Sequence, residues 1–430
     1  MKIQEFISGL SSGRYNGIFR SLYGTDEHEL LRQRIRYTSA VEQFSRIEPE
    51  CGEIRVFSAP GRTEICGNHT DHQCGRVLAA AVNIDAIAIV SQIDEPVIRL
   101  YSEGYGKSEI SLDDLEPDPA EAGTTKAILR GIAAGFAERG ADLRGFCAFV
   151  TSDVPSGSGL SSSAAFEVLM GNVIDKICCK GKIGAIDTAI IGQQAENKYF
   201  GKSSGLMDQL VSSAGGFIEI DFRDPAHPEI TPIDYDLTRS GYSLCITDTR
   251  GSHAGLSGEY SAVAQEMRAV AAAMGCKVLR EADEDQFYKM LPELRSCCSD
   301  RAILRASHFF SENARVSQQA EALASGDTEE FFRLVEESGA SSAELLQNLY
   351  SLSTPESQGL NIGLMLSRRY LSGRGPSRVH GGGFAGTIQA FVPTYLTEGY
   401  AAEMDRVFGE GSCKVLMIRH MGGTEVTAEE

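Results

Sequence analysis

A chain of 430 residues with 42% hydrophobic and 23% charged side chains is long enough for two or three packed domains and too apolar for a disordered or fibrous protein. Lys and Arg number 40 against 59 Asp and Glu, and the resulting net charge of −19 repels a polyanion such as DNA, with no basic run to offset it. Nucleic acid is thereby excluded as a partner, whereas a small phosphate-bearing ligand is not, because helix N-termini and backbone N–H groups bind anions locally.

The chain opens with MKIQEFISGLSSG, which lacks the apolar core of a leader, and the most apolar stretch, 77–90, is interrupted by Asn83 and Asp85. Nothing is therefore expected to export or anchor the protein. Its eleven cysteines show no CxxC pair or zinc spacing, and the neighbours Cys178-Cys179 and Cys297-Cys298 cannot bridge without strain. Free thiols in a reducing cytoplasm are the simplest reading.

A strand is expected over 54–60 and another over 77–90. Between them, residues 59–75 read APGRTEICGNHTDHQCG and place Arg62, His69, Asp71 and His72 in what reads as a short polar loop. So many polar side chains there suggest a ligand. A metal site at His69, Asp71 and His72 is one alternative, although the spacing fits no zinc pattern, and a solvated loop is another.

A Pro- and acid-rich connection follows from Leu112, and a strand is expected over 146–154. Next comes PSGSGLSSSAA, residues 155–165, a glycine- and serine-rich link into a helix carrying Ala165, Val168, Leu169, Val173 and Ile177 at helical spacing. Its glycines let the backbone approach a ligand closely, and its serines stand where the first helical N–H groups lack partners. Such a loop cradles phosphates, with a Ser-rich helix cap as the alternative. It is neither a Walker A loop nor a GxGxxG turn.

A second helix includes Ile186, Ala189 and Ile190, and a second Pro- and acid-rich stretch from Asp221 reads as the connection where one domain gives way to the next. Beyond it, strand-like segments at 241–249, 384–392 and 413–420 alternate with helical patterns such as 316–325. Both halves read as α+β.

Segment 155–165 closely resembles the second motif of the GHMP kinases, the superfamily of galactokinase, homoserine kinase, mevalonate kinase and phosphomevalonate kinase. Segment 59–75 looks like the galactokinase signature, whose usual form is APGR followed by a stretch ending GEHTDYNGG. GLMDQ from Gly205, SGEY ending at Tyr260, STPES at 353–357 and HGGGFAG from His380 stand in the order that family has, so the likeness runs from about Arg55 to Val392.

The resemblance implies a two-domain α+β GHMP kinase fold. Residues 1–215 would form a sugar- and phosphate-binding domain, a mixed sheet with helices like the second domain of a small-subunit ribosomal protein. Residues 216–430 would form a ferredoxin-like α+β domain. The implied activity is transfer of the γ-phosphate of ATP, with Mg2+, to the anomeric hydroxyl of galactose. ATP would be held by Pro155, Gly157, Ser158, Gly159, Leu160, Ser161, Ser162, Ser163 and Ala164, and the metal by Ser163 and Glu196. Arg62 would supply positive charge and Asp208 would accept or orient the O1 proton, a structural carboxylate being the alternative for the latter. Asn68, His69, Asp71, Gly205 and Tyr260 would bind the sugar, and the turn at 381–383 would lie against the substrate or the phosphate loop, or serve packing alone. The resemblance further implies a cytoplasmic monomer or weak homodimer whose partners are a sugar and ATP, without nucleic acid or membrane.

Two departures bear on the sugar. Asn68 stands where the family has Glu, near the C6 hydroxyl, and His72 where it has Tyr. An amide there would tolerate a C6 carboxylate, and the run His72-Gln73 is similar to plant galacturonate kinases. Galactose remains the expected substrate, with a C6-variant sugar such as galacturonate as the alternative and improved galactose use as the expected result of Asn68→Glu. A non-catalytic galactokinase-like sensor is disfavoured because Ser163, Glu196 and Asp208 are all present.

Overall fold

Residues 1–155, 157, 159–202, 204–252 and 254–428 are described by the computed structural model. The chain falls into two units. One contains Met1–Arg62, Ala81–Gly216 and the residues from Arg419 onward, and the other contains Thr63–Ala80 and Phe217–Ile418. The single cut expected after residue 215 lies beside one of these boundaries but anticipates neither exchange of segments.

The first unit is built on strands β1 (Arg55–Cys66), β2 (Arg76–Gln92), β3 (Val97–Ser102), β4 (Gly106–Ser111) and β5 (Phe146–Ser152), although the ends of β1 and β2 beyond Arg62 and before Ala81 belong to the other unit. The order is β1-β2-β5-β3-β4, with the short Thr424–Glu425 strand outside β1. β3 runs parallel to β5 and antiparallel to β4, so the sheet is mixed as expected. Residues 77–82 and 85–91 of β2 are buried on both faces, which explains its nearly unbroken apolar sequence.

Three helices precede β1, namely α1 (Ile3–Ser12), α2 (Asn16–Tyr23) and α3 (Glu27–Ile47). They bury Phe6, Phe19, Tyr37, Val41 and Phe44 in one core with Val56, Ile87, Ile89 and Phe149 of the strands. A polar centre ties them to the sheet. Asp85, fully buried on β2, accepts from Arg36 Nη1 at 2.6 Å on Oδ1, and from Tyr23 Oη at 2.6 Å, Ser58 and Arg419 on Oδ2. Burial alone would raise its pKa, but Arg36 and Arg419 outweigh burial and hold the carboxyl below its usual range. Further helices are α4 (Thr125–Glu138), α5 (Ser162–Ile174), α6 (Gly184–Ala195) and α7 (Met207–Ala214), which pack on one another.

In the second unit, β6 (Phe217–Asp221) pairs with residues 76–80 of β2 and with β7 (Glu229–Ile233). The stretch expected to be a bare connection thus contains a strand, edge-placed as its Pro232 requires. Strands β8 (Tyr242–Asp248), β9 (Ser377–His380), β10 (Thr387–Pro393) and β11 (Cys413–Leu416) form an antiparallel sheet in the order β11-β8-β10-β9. Helices connect β8 to β9 and β10 to β11, which gives the ferredoxin-like order; α8 (Ser257–Ala273) begins the first connection. Among the described residues no helix is long and apolar enough to cross a membrane.

Candidate active site

In the first unit, the candidate phosphate segment is the link from β5 to α5. Gly157 and Gly159 have φ of 76° and 72°, and Ser161 enters the same left-handed region at 58°. Ser161 occupies the N-cap position of α5, yet its hydroxyl donates to Asp208 Oδ2 at 2.6 Å and makes no cap. Ser161 thus leaves the first-turn N–H groups of α5 without a cap from its own side chain, and such N–H groups suit an anion. Ser162 and Ser163 line a cavity of about 840 Å³ together with Pro155, Thr125, Phe166, Glu167 and Glu196. Leu160 and Ala164 are buried beneath it, and Ser158 lies outside the described residues.

Arg62 was expected in a loop but sits on β1, because the run APGR continues the strand instead of turning. Gly61 makes this possible: a Cβ there would meet the Leu160 carbonyl oxygen at 2.8 Å. The Arg62 backbone N–H donates to that same oxygen at 3.0 Å, and its Nη1 donates to Gly159 O. Its Nε and Nη2 grip Asp208 from two sides, at 2.7 Å to Oδ1 and 2.6 Å to Oδ2. Asp208 lies in the first turn of α7, with Gly205 on the turn leading in. Burial would raise the Asp208 pKa, but the Arg62 charge and the hydrogen bonds from Arg62 and Ser161 prevail and hold it below the ordinary carboxylate range.

Glu196, buried at the end of α6, accepts from Lys202 Nζ at 2.6 Å and from Gln209 Nε2 at 3.3 Å. The same Gln209 nitrogen donates to Glu167 at 2.8 Å, while Gln209 Oε1 is buried without a partner. Burial, then Glu196, pushes the Glu167 carboxyl well above its usual range. Ser163, Glu167 and Glu196 offer only hard oxygen donors to one cavity, together with an orphaned amide oxygen nearby, which is a donor set suited to Mg2+.

In the second unit, the loop after β1 carries the sugar candidates. Asn68 Nδ2 donates to Gly381 O at 2.5 Å, His69 Nε2 to Gly382 O at 2.9 Å, and Tyr260 Oη, from the first turn of α8, to Gly383 O at 2.9 Å. Three successive carbonyls of the glycine run are thus held by three candidates. The run packs closely as well: a Cβ on Gly382 would meet the Tyr260 ring at 2.6 Å, and one on Gly383 the Asn348 carbonyl oxygen at 2.3 Å. His69 is buried with Nδ1 unpartnered, and burial followed by His72 lowers its pKa to about 4, so the ring is neutral near pH 7 and Nδ1 is a vacant acceptor. Asp71 begins a 3-10 turn and accepts from the His72 backbone N–H at 2.9 Å. Its side chain keeps 28% exposure.

A buried charged platform supports this loop. The helix Asp300–Ser325 presents Arg305, His308, Glu312 and Arg315 on its buried face. Glu312 accepts from the Gly67 backbone N–H at 3.2 Å and pairs with Arg315, and His308 Nε2 bonds to Asn68 O at 2.9 Å. Among described residues no cluster of three or more His, Cys, Asp or Glu could hold a metal, so the His69, Asp71, His72 alternative finds no support.

The sequence reading missed Glu64, Glu167, Gln209, Asn348 and this platform. Two of these had a signal. Glu167 follows Ser163 by four residues on one helix face, and polar residues at 305, 308, 312 and 315 repeat at helical spacing. Asn348 acts through contacts distant in sequence and had none, and Glu64, four residues from Asn68, gains its meaning only with the distant Arg378.

Residues 125–216 match the GHMP kinases N terminal domain, and residues 42–92 match the galactokinase galactose-binding signature. The chain is 34% identical over 360 residues to a galactokinase of Actinobacillus pleuropneumoniae serotype 5b, covering 82% of this chain and 89% of that one. It is 30% identical over 362 residues to a galactokinase of Streptomyces coelicolor, covering 84% and 90%. The fold is similar to that of Lactococcus lactis galactokinase complexed with galactose, with a TM-score of 0.75 at 24% identity over 91% of this chain and 99% of that one.

Proposed function

The chain belongs to the galactokinase family, and on that premise we propose that it transfers the γ-phosphoryl group of ATP to the anomeric hydroxyl of galactose, yielding galactose 1-phosphate and ADP. One observation carries the reading. Asp208 is gripped by Arg62 on both oxygens and by Ser161, whose neighbours Ser162 and Ser163 line the cavity at the open end of α5.

Phosphoryl transfer requires alignment and charge neutralisation more than covalent chemistry from the protein. The backbone at the start of α5 and the serine hydroxyls bind the phosphates. Ser163 and Glu196 would hold Mg2+, which would supply neutralisation of phosphate charge. Asp208, kept ionised by Arg62, accepts a hydrogen bond from the C1 hydroxyl and aims its oxygen at phosphorus. With its pKa held low it takes the proton only as the new O–P bond forms and the bond to ADP breaks, when the hydroxyl has become acidic.

The vacant Nδ1 of His69, the Asp71 carboxylate, the Gly205 backbone and the Tyr260 oxygen are the sugar contacts. All eleven cysteines are free, in keeping with a reducing compartment such as the cytoplasm. Galactose is favoured over a C6 carboxylate sugar because the relatives carry the galactokinase name and because both N–H groups of the Asn68 amide are already used. A coupled ADP-release assay over galactose, galactosamine derivatives, galacturonate and arabinose tests this. Galactose should dominate, and a dominant galacturonate response overturns the substrate.

A further inference from the structure

Glu64, near the end of β1, and Asn68, in the loop that follows, belong to one linked polar set. The Asn68 amide gives one N–H to Glu64 Oε1 at 3.1 Å and the other to Gly381 O at 2.5 Å. Its Oδ1 receives Asn348 Nδ2 at 2.6 Å, and its backbone oxygen is held by His308. Asn68 is 1% exposed. Arg378, whose side chain is fully buried, donates to the same Glu64 oxygen at 3.2 Å and to Ile65 O.

We propose that Asn68 is a positioning residue, not a sugar ligand: it binds the sugar loop to the glycine run, while Glu64 supplies the carboxylate that the buried Arg378 guanidinium and the amide share. The proposal rests on the galactokinase reading for its effect on substrate, but its core is a coupling between two side chains.

A carboxylate at 68 would face that of Glu64, and it would set an acceptor against the Gly381 carbonyl where a donor is required. His69 follows directly and holds Gly382 O, so a displaced residue 68 draws the vacant His69 acceptor out of place. Residue type alone argues that Asn68→Glu improves galactose use. The geometry argues the reverse. Glu64→Asn removes from Arg378 its carboxylate, whereas exchanging the two restores one carboxylate and one amide beside one guanidinium.

The test compares the full chain with N68E, E64N and the exchanged E64N/N68E, reading kcat, KM for galactose and Tm. N68E should raise KM at least about tenfold with kcat changed far less, since Arg62 and Asp208 are untouched. Each single change should lower Tm, and the exchange should lose clearly less than the sum of the two, because it removes the opposed carboxylates while the acceptor facing Gly381 O remains, a non-additivity expected only of side chains that interact. Unchanged or improved KM with unchanged Tm in N68E overturns the proposal, as do losses that simply add in the double variant. Should N68E fail to fold, an exchanged variant that folds supports the coupling and one that does not overturns it. If the unaltered chain does not phosphorylate galactose, the substrate reading falls, while the Tm cycle still decides the coupling.

Discussion

In the candidate phosphate region, hydrogen-bonding capacity is left open: the N-cap Ser161 makes no cap to α5, Ser162 and Ser163 line a cavity, and Gln209 keeps a buried oxygen unpaired. In the sugar-binding region almost all of it is closed, with Asn68, His69 and Tyr260 each bonded to one carbonyl of the glycine run and the vacant Nδ1 of His69 among the exceptions. The contrast follows from the ligands. A triphosphate with its metal carries concentrated charge and can be gathered by exposed N–H groups and oxygens, whereas a neutral sugar is selected by the fixed direction of a few donors and acceptors. Under the proposed function, fixed geometry in the second region would serve selectivity.

The largest effect that would sharpen this contrast is at Asp208. Asp208→Asn should lower kcat about a thousandfold, because the remaining amide cannot take the proton and pairs poorly with Arg62, while calorimetry should find galactose binding nearly unchanged. Near-normal turnover would remove the carboxylate from the chemistry. Glu196→Gln should be milder, raising the Mg2+ concentration for half-maximal velocity by about 10- to 100-fold and weakening Mn2+ binding in the presence of ADP to a similar degree, with KM for galactose unmoved. A shift confined to galactose would break the division of labour. The smallest effect is an absence. His69 has its pKa lowered to about 4, so it stays neutral as pH falls from 8 to about 5, and KM for galactose should hold flat across that window. A steep rise between pH 7 and 5 would mean that the ring gains its proton near the ordinary value and that Nδ1 is not the acceptor.

The phosphate region was legible because its chemistry lies in one contiguous run: glycines, serines and the helix they start are adjacent in sequence, as are Gly205 and Asp208. Even there, the strand expected to end at Pro60 runs on through Arg62, which was placed in a loop, because the close approach of Leu160 that demands a glycine at 61 comes from a distant segment. The sugar region was legible only on one side. Asn68 was visible as a departure, but its meaning depends on Glu64, Asn348 and the Gly381 carbonyl, and two of these three come from segments hundreds of residues away. β7 was lost for a related reason, its prolines reading as linker until pairing with β6 is known. The first fifty residues offered only GIFRSLYG as a plausible start, yet their apolar periodicity builds three helices.

Those helices limit how the protein can be shortened. A recombinant fragment beginning at β1 would strip Asp85 of the Arg36 guanidinium and the Tyr23 phenol together, leaving an ion in the sheet interior with Ser58 and Arg419 alone. It would also uncover the apolar side of Val56, Ile87 and Ile89. What looks from the motifs like a dispensable leader is the lid of the sheet, and biochemistry on this enzyme has to be done with it in place.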